Sequence, residues 1–407
     1  MKKHIYILLF FSLGVIMYSF GQDRKTFKVK DILRYCDNQL KRTLGELKDS
    51  SFMPRSMNSG QKKWSLVGIH DWTSGFWPGI LWYDYEYFRN DRIKEKAIQY
   101  TEYLQPLVNP NQKVDHDIGF QIFCSYGNAY RLTGDEKYKK IILEAAAKLS
   151  ELYNPVVGTI LSWPNMVQKM GWPHNTIIDN MMNLEILFWA SKNGGDKRYY
   201  DMAVSHAMVT KKNAFRENGS CFHVAVYDTI SGKFIKGVTN QGYSDGSMWA
   251  RGQAWAIYGY TMVYRETLDK QFLRFAEKVA NIYLDRLPED YIPYWDFDLP
   301  SIQDEPKDAS AAAIASSALL ELAQLEDNKE MAERYRSAAI VMLNNLSSKK
   351  YQSRNANNSF LKHCTGNHPS KYEIDASIIY ADYYYIEALT RYNFTCNALR
   401  PYMRSSK

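Results

Sequence analysis

The chain has 407 residues, of which 45% are hydrophobic and 14% aromatic, so it is long enough to bury a large core. Its formal charge of +7 is not accompanied by a basic stripe, which argues against a nucleic-acid-binding protein. The five cysteines are scattered, with no CxxC pair or metal-ligand spacing, so we expect no metal site. We expect buried free thiols for most of them, and one disulfide formed after export is the alternative.

The first residues predict export. Two lysines precede an apolar run at 5–18, which ends in a small-x-small cleavage motif at 19–21. This pattern predicts a signal peptide over residues 1–21 and one mature domain over residues 22–407. No cysteine follows the run, so a lipid anchor is not expected. No other stretch is long and apolar enough to span a bilayer, so for a Gram-negative host we expect a periplasmic protein.

A recurring phrase of acidic, basic and aromatic residues marks the starts of several amphipathic helices. In each, an Asp can cap the helix, and about four turns with one charged face follow. The segments that carry this phrase begin at Asn90, Gly134, Gly195, Leu268 and Glu326.

A different kind of helix precedes each of these segments, and another follows the last. These helices are rich in Gly, Ala and aromatic residues and poor in Lys and Glu, so we expect them to be buried. With an opening helix at 28–48, the count is six inner and six outer helices, which predicts an all-α fold, an (α/α)6 toroid. Tetratricopeptide-type solenoids also alternate helices, but with a tighter and more regular period. The predicted inner helices lie at 75–89, 117–132, 176–192, 248–266, 308–326 and 374–391.

If the inner helices are parallel, all their N-termini open on the same rim. The longest loops, at 151–175 and 213–247, lie on that rim, and the second contains a predicted β-hairpin with strands at 222–227 and 233–238. Function concentrates on loops that a rigid scaffold holds. Six positive helix ends around one cavity would also favour an anionic ligand.

Carboxylates and aromatic residues share this predicted rim. Asp179 lies in the first turns of a helix that we expect to begin near His174, where it is either a structural first-turn residue or an acid/base. Aromatic rings beside acids are typical of a sugar site, because rings stack on sugar faces and an apolar wall raises the pKa of an acid. The alternative is that the rings belong to the core, and it is strongest for Trp77 and Trp189.

Three further segments of the rim carry candidate side chains. His116-Asp117 lacks the partner histidines of a metal site, although His116 could be a core residue. His223 lies in the predicted hairpin, where it could reach the rim. Arg251 has a planar fork that matches a carboxylate, which favours a uronic acid over a neutral sugar. The alternative for Arg251 is a structural salt bridge to Asp245.

Five short segments occur in order along nearly the whole mature chain. They are Asp-Trp-Thr-Ser-Gly-Phe-Trp-Pro-Gly at 71–79, His-Asp-Ile-Gly-Phe at 116–120, Asp-Asn-Met-Met-Asn-Leu at 179–184, Gln-Gly-Tyr-Ser-Asp-Gly-Ser-Met-Trp-Ala-Arg-Gly-Gln at 241–253 and Asp-Ala-Ser at 308–310. Together they resemble the unsaturated glucuronyl hydrolases, glycoside hydrolase family 88. The sister family of unsaturated rhamnogalacturonyl hydrolases shares the Trp-Ala-Arg-Gly element but fits the other segments less well.

The resemblance implies an unusual hydrolysis. Substrates of this family are oligosaccharides left by polysaccharide lyases, with a C4=C5 double bond in the terminal uronate. A catalytic Asp protonates C4, water adds at C5, and the resulting hemiketal opens and expels the rest of the saccharide. The anomeric carbon is not attacked, so the carboxylate-spacing rule of ordinary glycosidases does not apply.

The resemblance also assigns roles to residues of this chain. It implies that Asp179 is the acid/base and that Asp117 positions the sugar and stabilises the developing charge. The implied substrate-binding set consists of Trp72, Phe76, His116, Trp163, His223, Gln241, Trp249 and Arg251. No metal and no cofactor is expected, and the expected ligand is an unsaturated uronic-acid-containing oligosaccharide of glycosaminoglycan type.

Two other functions compete with this one. One is rhamnogalacturonyl hydrolysis, and the other is a non-catalytic toroid that binds glycans. Acids in an apolar cup argue against a pure binding protein. Polar residues precede the last inner helix, and two interpretations of them are open. They contact a sulfate on the second sugar, or they form a solvated loop; these residues are Lys362, His363, Ser370 and Lys371.

Overall fold

The computed structural model of the protein describes residues 27–396, so the predicted signal peptide lies outside the described residues. Helices predominate, and the predicted alternation of buried and exposed helices is confirmed. The helices with exposed faces are α1 (Val29–Glu46), α3 (Asp91–Glu102), α6 (Glu136–Glu151), α9 (Arg198–Asn213), α11 (Lys270–Asp285) and α13 (Lys329–Leu346). The inner helices are α2 (Phe76–Phe88), α4 (Ile118–Ile122), α5 (Asn128–Thr133), α8 (Asn180–Lys192), α10 (Ala250–Thr267), α12 (Ala309–Leu325) and α14 (Ile379–Cys396).

The second inner helix is continuous but irregular. Between α4 and α5 the chain forms a π-helical turn at Phe123–Gly127, so the two pieces together fill the predicted helix at 117–132. Among the described residues, two further helices are short: a 3₁₀-helix, Gln105–Val108, follows α3, and α7 (Pro164–Lys169) lies in the loop after α6.

Short strands form three antiparallel sheets, with the orders β2-β1-β8, β3-β4 and β5-β6-β7. The predicted hairpin is confirmed as β6 paired with β7. The strands are β1 (Met53–Met57), β2 (Ser65–Val67), β3 (Tyr153–Asn154), β4 (Thr159–Ile160), β5 (His174–Ile177), β6 (Val224–Tyr227), β7 (Phe234–Val238) and β8 (Ser377–Ile378).

The inner helices contact one another in chain order, and the contacts close on themselves. α4 packs on α8, α8 on α10, α10 on α12, α12 on α14, and α14 on α2, which contacts the π-helical turn between α4 and α5. Outer helices pack on the inner helix that precedes them, as α3 does on α2 and α13 on α12. Helix α12, almost entirely Ala, Ser and Leu, is buried over most of its length, because small side chains let its neighbours approach closely.

Polar side chains cap four of the outer helices, α3, α6, α11 and α13, and two of these capping residues differ from the prediction. The N-cap residues of α1 and α9 are Lys28 and Lys197, which form no side-chain cap, so the N-cap of the segment that begins at Gly195 is not the predicted Asp. Asp135 and Asp269 accept hydrogen bonds from the first turns of α6 and α11, as expected. In α3 and α13 the capping side chain is Asn90 and Asn328, and the adjacent Asp does not cap. Asn and Asp serve this position equally well, since each offers a side-chain oxygen to the free N–H groups.

The predicted starts of two inner helices are wrong. The chain at His174–Ile177 is the strand β5, paired with β6, and α8 begins only at Asn180. The run Thr176-Ile177-Ile178 is β-branched, which favours an extended backbone when a partner strand is available. In the same way, α14 begins at Ile379 and not near 374, because Ser377–Ile378 pairs with β1.

The described cysteines Cys36, Cys124, Cys221 and Cys364 are buried free thiols, in agreement with the prediction for these four. Within residues 27–396, no helix is both long and apolar enough to cross a membrane.

Close packing of α8 against α10 depends on Gly259. A Cβ atom at this position would lie 2.5 Å from Cβ of Met181, whereas a Cβ atom at Gly45, in α1, would meet nothing within 4 Å. We therefore expect Gly259→Ala to lower the free energy of unfolding by about 1–3 kcal/mol. Gly45→Ala should raise it by about 0.5–1 kcal/mol, because Ala loses less backbone entropy in a helix. Urea denaturation of both variants tests the packing, and a neutral Gly259→Ala variant would contradict it.

Candidate active site

A polar cavity of about 220 Å³ opens where several inner helices begin. Asp117 and Asp179 are the residues directly before α4 and α8, Trp72 lies shortly before α2, and Tyr380 lies in the first turn of α14. The N-termini of these four helices therefore share one rim, as predicted. The cavity is lined by Arg55, Trp72, Asp117, Trp163, Ile177, Asp179, Asn240, Gln241, Gly366, Asn367, Tyr372, Glu373 and Tyr380.

Asp179 stands between the end of β5 and the start of α8. It occupies the N-cap position, but its side chain makes no capping hydrogen bond, and it is only 8% exposed. Within the described part of the chain, its Oδ1 atom has no hydrogen-bond partner. Burial raises the pKa of Asp179 to about 7, although the charge of Arg251 and the neighbouring indole N–H of Trp255 oppose the rise. Near neutral pH this carboxyl group can therefore both donate and accept a proton.

Asp117 occupies the corresponding position before α4. Its backbone N–H donates to Oδ1 of Asp115 at 3.0 Å, and its side chain forms no capping hydrogen bond. Burial raises the pKa of Asp117 well above its ordinary range, and the like charges of Asp115, Asp179 and Asp71 raise it further. The two cavity acids thus repel each other when both are ionised, so the site favours a state with at least one bound proton.

A neutral histidine lies beside each acid. Nε2 of His223 is 3.7 Å from Oδ1 of Asp179, and Nε2 of His116 is 3.5 Å from Oδ1 of Asp117. Burial lowers the pKa of each histidine to about 3. Because Nδ1 of His223 accepts the backbone N–H groups of Asn240 and Gln241, its proton lies on Nε2, which faces the acid.

Aromatic rings form two groups around the acids. Trp163 lines the cavity and contacts the His223 ring edge-on at a centroid distance of 5.6 Å, while Trp249 lies against the same ring at 4.5 Å. On the other side, Trp72 lines the cavity and packs on Phe76 and Tyr380 at 5.7 and 5.1 Å. Phe76 is fully buried behind Trp72.

Arg251 is buried behind the cavity wall and is 2% exposed. Its Nη1 donates to Oδ2 of Asp308 at 2.7 Å and to the carbonyl of Thr365, and its Nη2 donates to the carbonyl of Gly366. The predicted alternative, a structural salt bridge between Arg251 and Asp245, is wrong, because the salt-bridge partner of Arg251 is Asp308. The exposed Asp245 carboxylate instead accepts the backbone N–H of Thr239. Much of the Arg251 fork is therefore engaged within the protein.

The ten candidates from the sequence fall into two layers. Trp72, Asp117, Trp163, Asp179 and Gln241 line the cavity. The others are buried directly behind these and hold them in place; they are Phe76, His116, His223, Trp249 and Arg251.

Arg55 is the most consequential lining residue that sequence analysis missed. It projects from β1, donates from Nε to Oε1 of Glu373 at 2.9 Å, and forms a second ion pair with Asp71. Its guanidinium also lies 5.3 Å from the centre of the Tyr372 ring. A single Arg within the apolar strand Met53–Met57 was the available signal, but its partner Glu373 lies more than 300 residues away.

The polar residues considered for sulfate contact do not line the cavity. His363 is paired with Asp375 through Nδ1 and Oδ1 at 2.6 Å, while Ser370 and Lys371 are exposed. Between residues 27 and 396, no group of three or more His, Cys, Asp or Glu side chains is placed to hold a metal ion.

Two buried acids with raised pKa values, set among aromatic rings where inner helices begin, are typical of glycan-processing acid/base enzymes. A comparison with known protein families identifies the family of this chain. The model of Glycosyl Hydrolase Family 88 matches residues 46–395, so the chain belongs to this family.

Individual relatives match over most of their length. An unsaturated glucuronyl hydrolase of Formosa agariphila is 40% identical, with 96% of this chain and 98% of the relative covered. An unsaturated chondroitin disaccharide hydrolase of Streptococcus pneumoniae is 36% identical, over 79% of this chain and 82% of that one. The crystal structure of an unsaturated glucuronyl hydrolase specific for heparin is 41% identical and superposes with a TM-score of 0.85, covering 91% of this chain and 98% of its own.

The neutral state of the two histidines can be measured. Since burial lowers both pKa values to about 3, we expect the imidazole ¹⁵N signals of His116 and His223 to stay unchanged between pH 5 and 8. The His223 signals should show a protonated Nε2 and an unprotonated Nδ1. In urea-unfolded protein the same rings should titrate near pH ~6.5. Protonation of His223 in the folded protein above pH 5 would contradict the assignment.

Proposed function

We propose that this protein is a hydrolase that releases the terminal 4,5-unsaturated glucuronic acid from lyase-generated oligosaccharides of glycosaminoglycan type. The observation that carries the proposal is the buried, uncapped Asp179 on the cavity wall, whose pKa of about 7 suits an acid that must also act as a base. The proposal is supported by relatives that are unsaturated glucuronyl or chondroitin disaccharide hydrolases. A Streptococcus agalactiae member of the family, 32% identical, has been crystallised with dGlcA-GalNAc6S.

In the proposed reaction, protonated Asp179 donates its proton to C4 of the C4=C5 double bond. Positive charge then develops at C5 and the ring oxygen. The resulting Asp179 carboxylate takes a proton from water, which adds at C5 to form a hemiketal. The hemiketal opens, and the bond to the second sugar breaks. No second nucleophilic carboxylate is required, since the protein attacks no carbon of the sugar.

Asp117 has the second role in this proposal. With its pKa raised, it can hold a proton and donate a hydrogen bond to a sugar hydroxyl, or lose the proton and stabilise the positive ring. The neutral Nε2–H of His223 is a further donor near the reacting carboxyl group. Trp72 and Trp163 offer ring faces to the sugar, and Gln241 offers a polar contact.

Arg251 contributes indirectly, from behind the cavity wall. Its guanidinium holds the carbonyls of Thr365 and Gly366, and its charge lowers the pKa of Asp179. We infer that the bound uronate experiences this positive charge, and that of Arg55, as a field from the cavity wall.

The architecture and location are part of the same proposal. We propose that the closed sequence of inner-helix contacts is an (α/α)6 toroid and that residues 22–407 form one domain. The apolar N-terminal run supports export through a signal peptide over residues 1–21, with a periplasmic location in a Gram-negative host.

Replacing the proposed acid tests the mechanism directly. We expect Asp179→Asn to lower kcat for an unsaturated chondroitin disaccharide by roughly 10²–10⁴-fold, because Asn cannot protonate C4. The measurement is the loss of ultraviolet absorbance of the conjugated double bond. Asp245→Asn, an exposed control, should retain activity. Retained activity in Asp179→Asn, or turnover of a pectin-derived unsaturated disaccharide alone, would overturn the proposal.

The pKa of Asp179 predicts the pH dependence. The group must be protonated to donate to C4, and its pKa in the free protein is about 7, so kcat/KM should fall as the pH rises above about 7. The indole N–H of Trp255 lowers this pKa, so Trp255→Phe should move the alkaline limb to higher pH. A limb that stays in place or moves to lower pH would contradict this prediction.

A further inference from the structure

We propose that Tyr243, Trp295 and His368 form a binding subsite for the third sugar of the oligosaccharide, counted from the unsaturated end. This subsite lies outside the cavity. The proposal rests on the proposed function, because it assumes that the cavity holds the terminal uronate.

The size of the cavity requires contacts beyond it. Pockets that enclose drug-sized ligands usually measure about 300–1,000 Å³, whereas this cavity measures about 220 Å³. A cavity of this size suits the terminal part of an oligosaccharide, so we expect the remaining sugars to lie across the surface at its mouth.

Two loops build one wall of the cavity and continue outward together. Gln241 Nε2 donates to the carbonyl of Gly366 at 3.0 Å, and both residues line the cavity. Tyr243 lies two residues beyond Gln241, and His368 lies two residues beyond Gly366. Each loop therefore passes directly from the cavity to an aromatic ring.

Trp295 joins these two rings. The His368 ring stacks on the Trp295 ring with a centroid distance of 4.2 Å and an interplanar angle of 11°. The Tyr243 ring contacts the same Trp295 ring edge-on, at a centroid distance of 6.4 Å. Trp295 is itself fixed, since its Nε1 donates to Oε2 of Glu305 at 2.7 Å. The backbone N–H of Tyr243 donates to Oδ2 of Asp296 at 2.9 Å.

Exposure distinguishes Tyr243 from an ordinary core ring. Trp295 is 3% exposed, but Tyr243 is 49% exposed. A large ring held by its backbone and left open to solvent beside a sugar site offers an apolar face with a polar edge. This surface suits the apolar face of a pyranose and requires little ordering on binding.

The test compares two substrates that share the same unsaturated end, a disaccharide and a tetrasaccharide from the same lyase digest. For Tyr243→Ala we expect KM for the tetrasaccharide to rise roughly three- to tenfold, the loss of one aromatic contact, while KM for the disaccharide and both kcat values stay unchanged. Tyr243→Phe should retain the wild-type value, because it keeps the ring. His368→Ala should show a smaller effect of the same kind.

The control is Tyr103→Ala, which removes an exposed tyrosine from the end of the outer helix α3. This variant should change neither KM nor kcat for either substrate. Equal KM changes for both substrates in Tyr243→Ala, or none for either, would overturn the subsite. If the protein cleaves neither substrate, the proposed function fails, and the subsite is then judged by direct binding of the two saccharides through tryptophan fluorescence, with the same expected preference and the same loss in Tyr243→Ala.

Discussion

The rest of the site depends on the ion pair and hydrogen bonds that the buried guanidinium of Arg251 forms with Asp308, Thr365 and Gly366. The guanidinium joins three parts of the chain, because Arg251 lies in the first turn of α10, Asp308 caps α12, and Thr365 and Gly366 belong to the loop before α14. Breaking a buried ion pair by removing one partner typically costs about 3–5 kcal/mol. The pairing therefore fixes the relative positions of the helix starts that frame one side of the cavity. Gly366, which Arg251 holds, is also the acceptor for Gln241 on the cavity wall.

Burial supplies the chemistry of the site as well as its rigidity. The same low-polarity surroundings raise the pKa of Asp179 and Asp117 and lower those of His116 and His223. All four shifts favour the neutral form, so the empty site avoids a concentration of like charge. The Arg251 guanidinium, whose charge lowers the pKa of Asp179, is paired with Asp308, which limits the size of this effect. Proton transfer near neutral pH then follows from the environment of Asp179.

Much of this arrangement could be predicted from the sequence, because it depends on local patterns. Helices with apolar residues all round are buried wherever they occur, so α2, α10 and α12 were predictable to within a few residues. Asp117 and Asp179 were predictable because each lies near the start of a predicted buried helix and within a recognisable segment. The strand β5 was not, since its pairing with β6 depends on residues about fifty positions later. Arg55 was missed for the same reason, as its partner Glu373 and the cavity it lines arise only from the folded chain.

An Asp at the start of a helix has a different role in different helices of this protein. Asp135 and Asp269 precede the outer helices α6 and α11, and their carboxylates accept hydrogen bonds from the free backbone N–H groups. For Asp269, hydrogen bonds from the side chain and the backbone N–H of Gln271 stabilise the ionised form and lower the pKa of the carboxyl group. Asp117 and Asp179 precede inner helices but make no capping hydrogen bond, and burial is the largest influence on the pKa of each. Leaving these two helix starts uncapped costs stability, typically about 1 kcal/mol each. It also leaves the two carboxyl groups free to exchange protons in the cavity, whereas Asp308, the capping acid of the inner helix α12, is bound to Ser310 and Arg251.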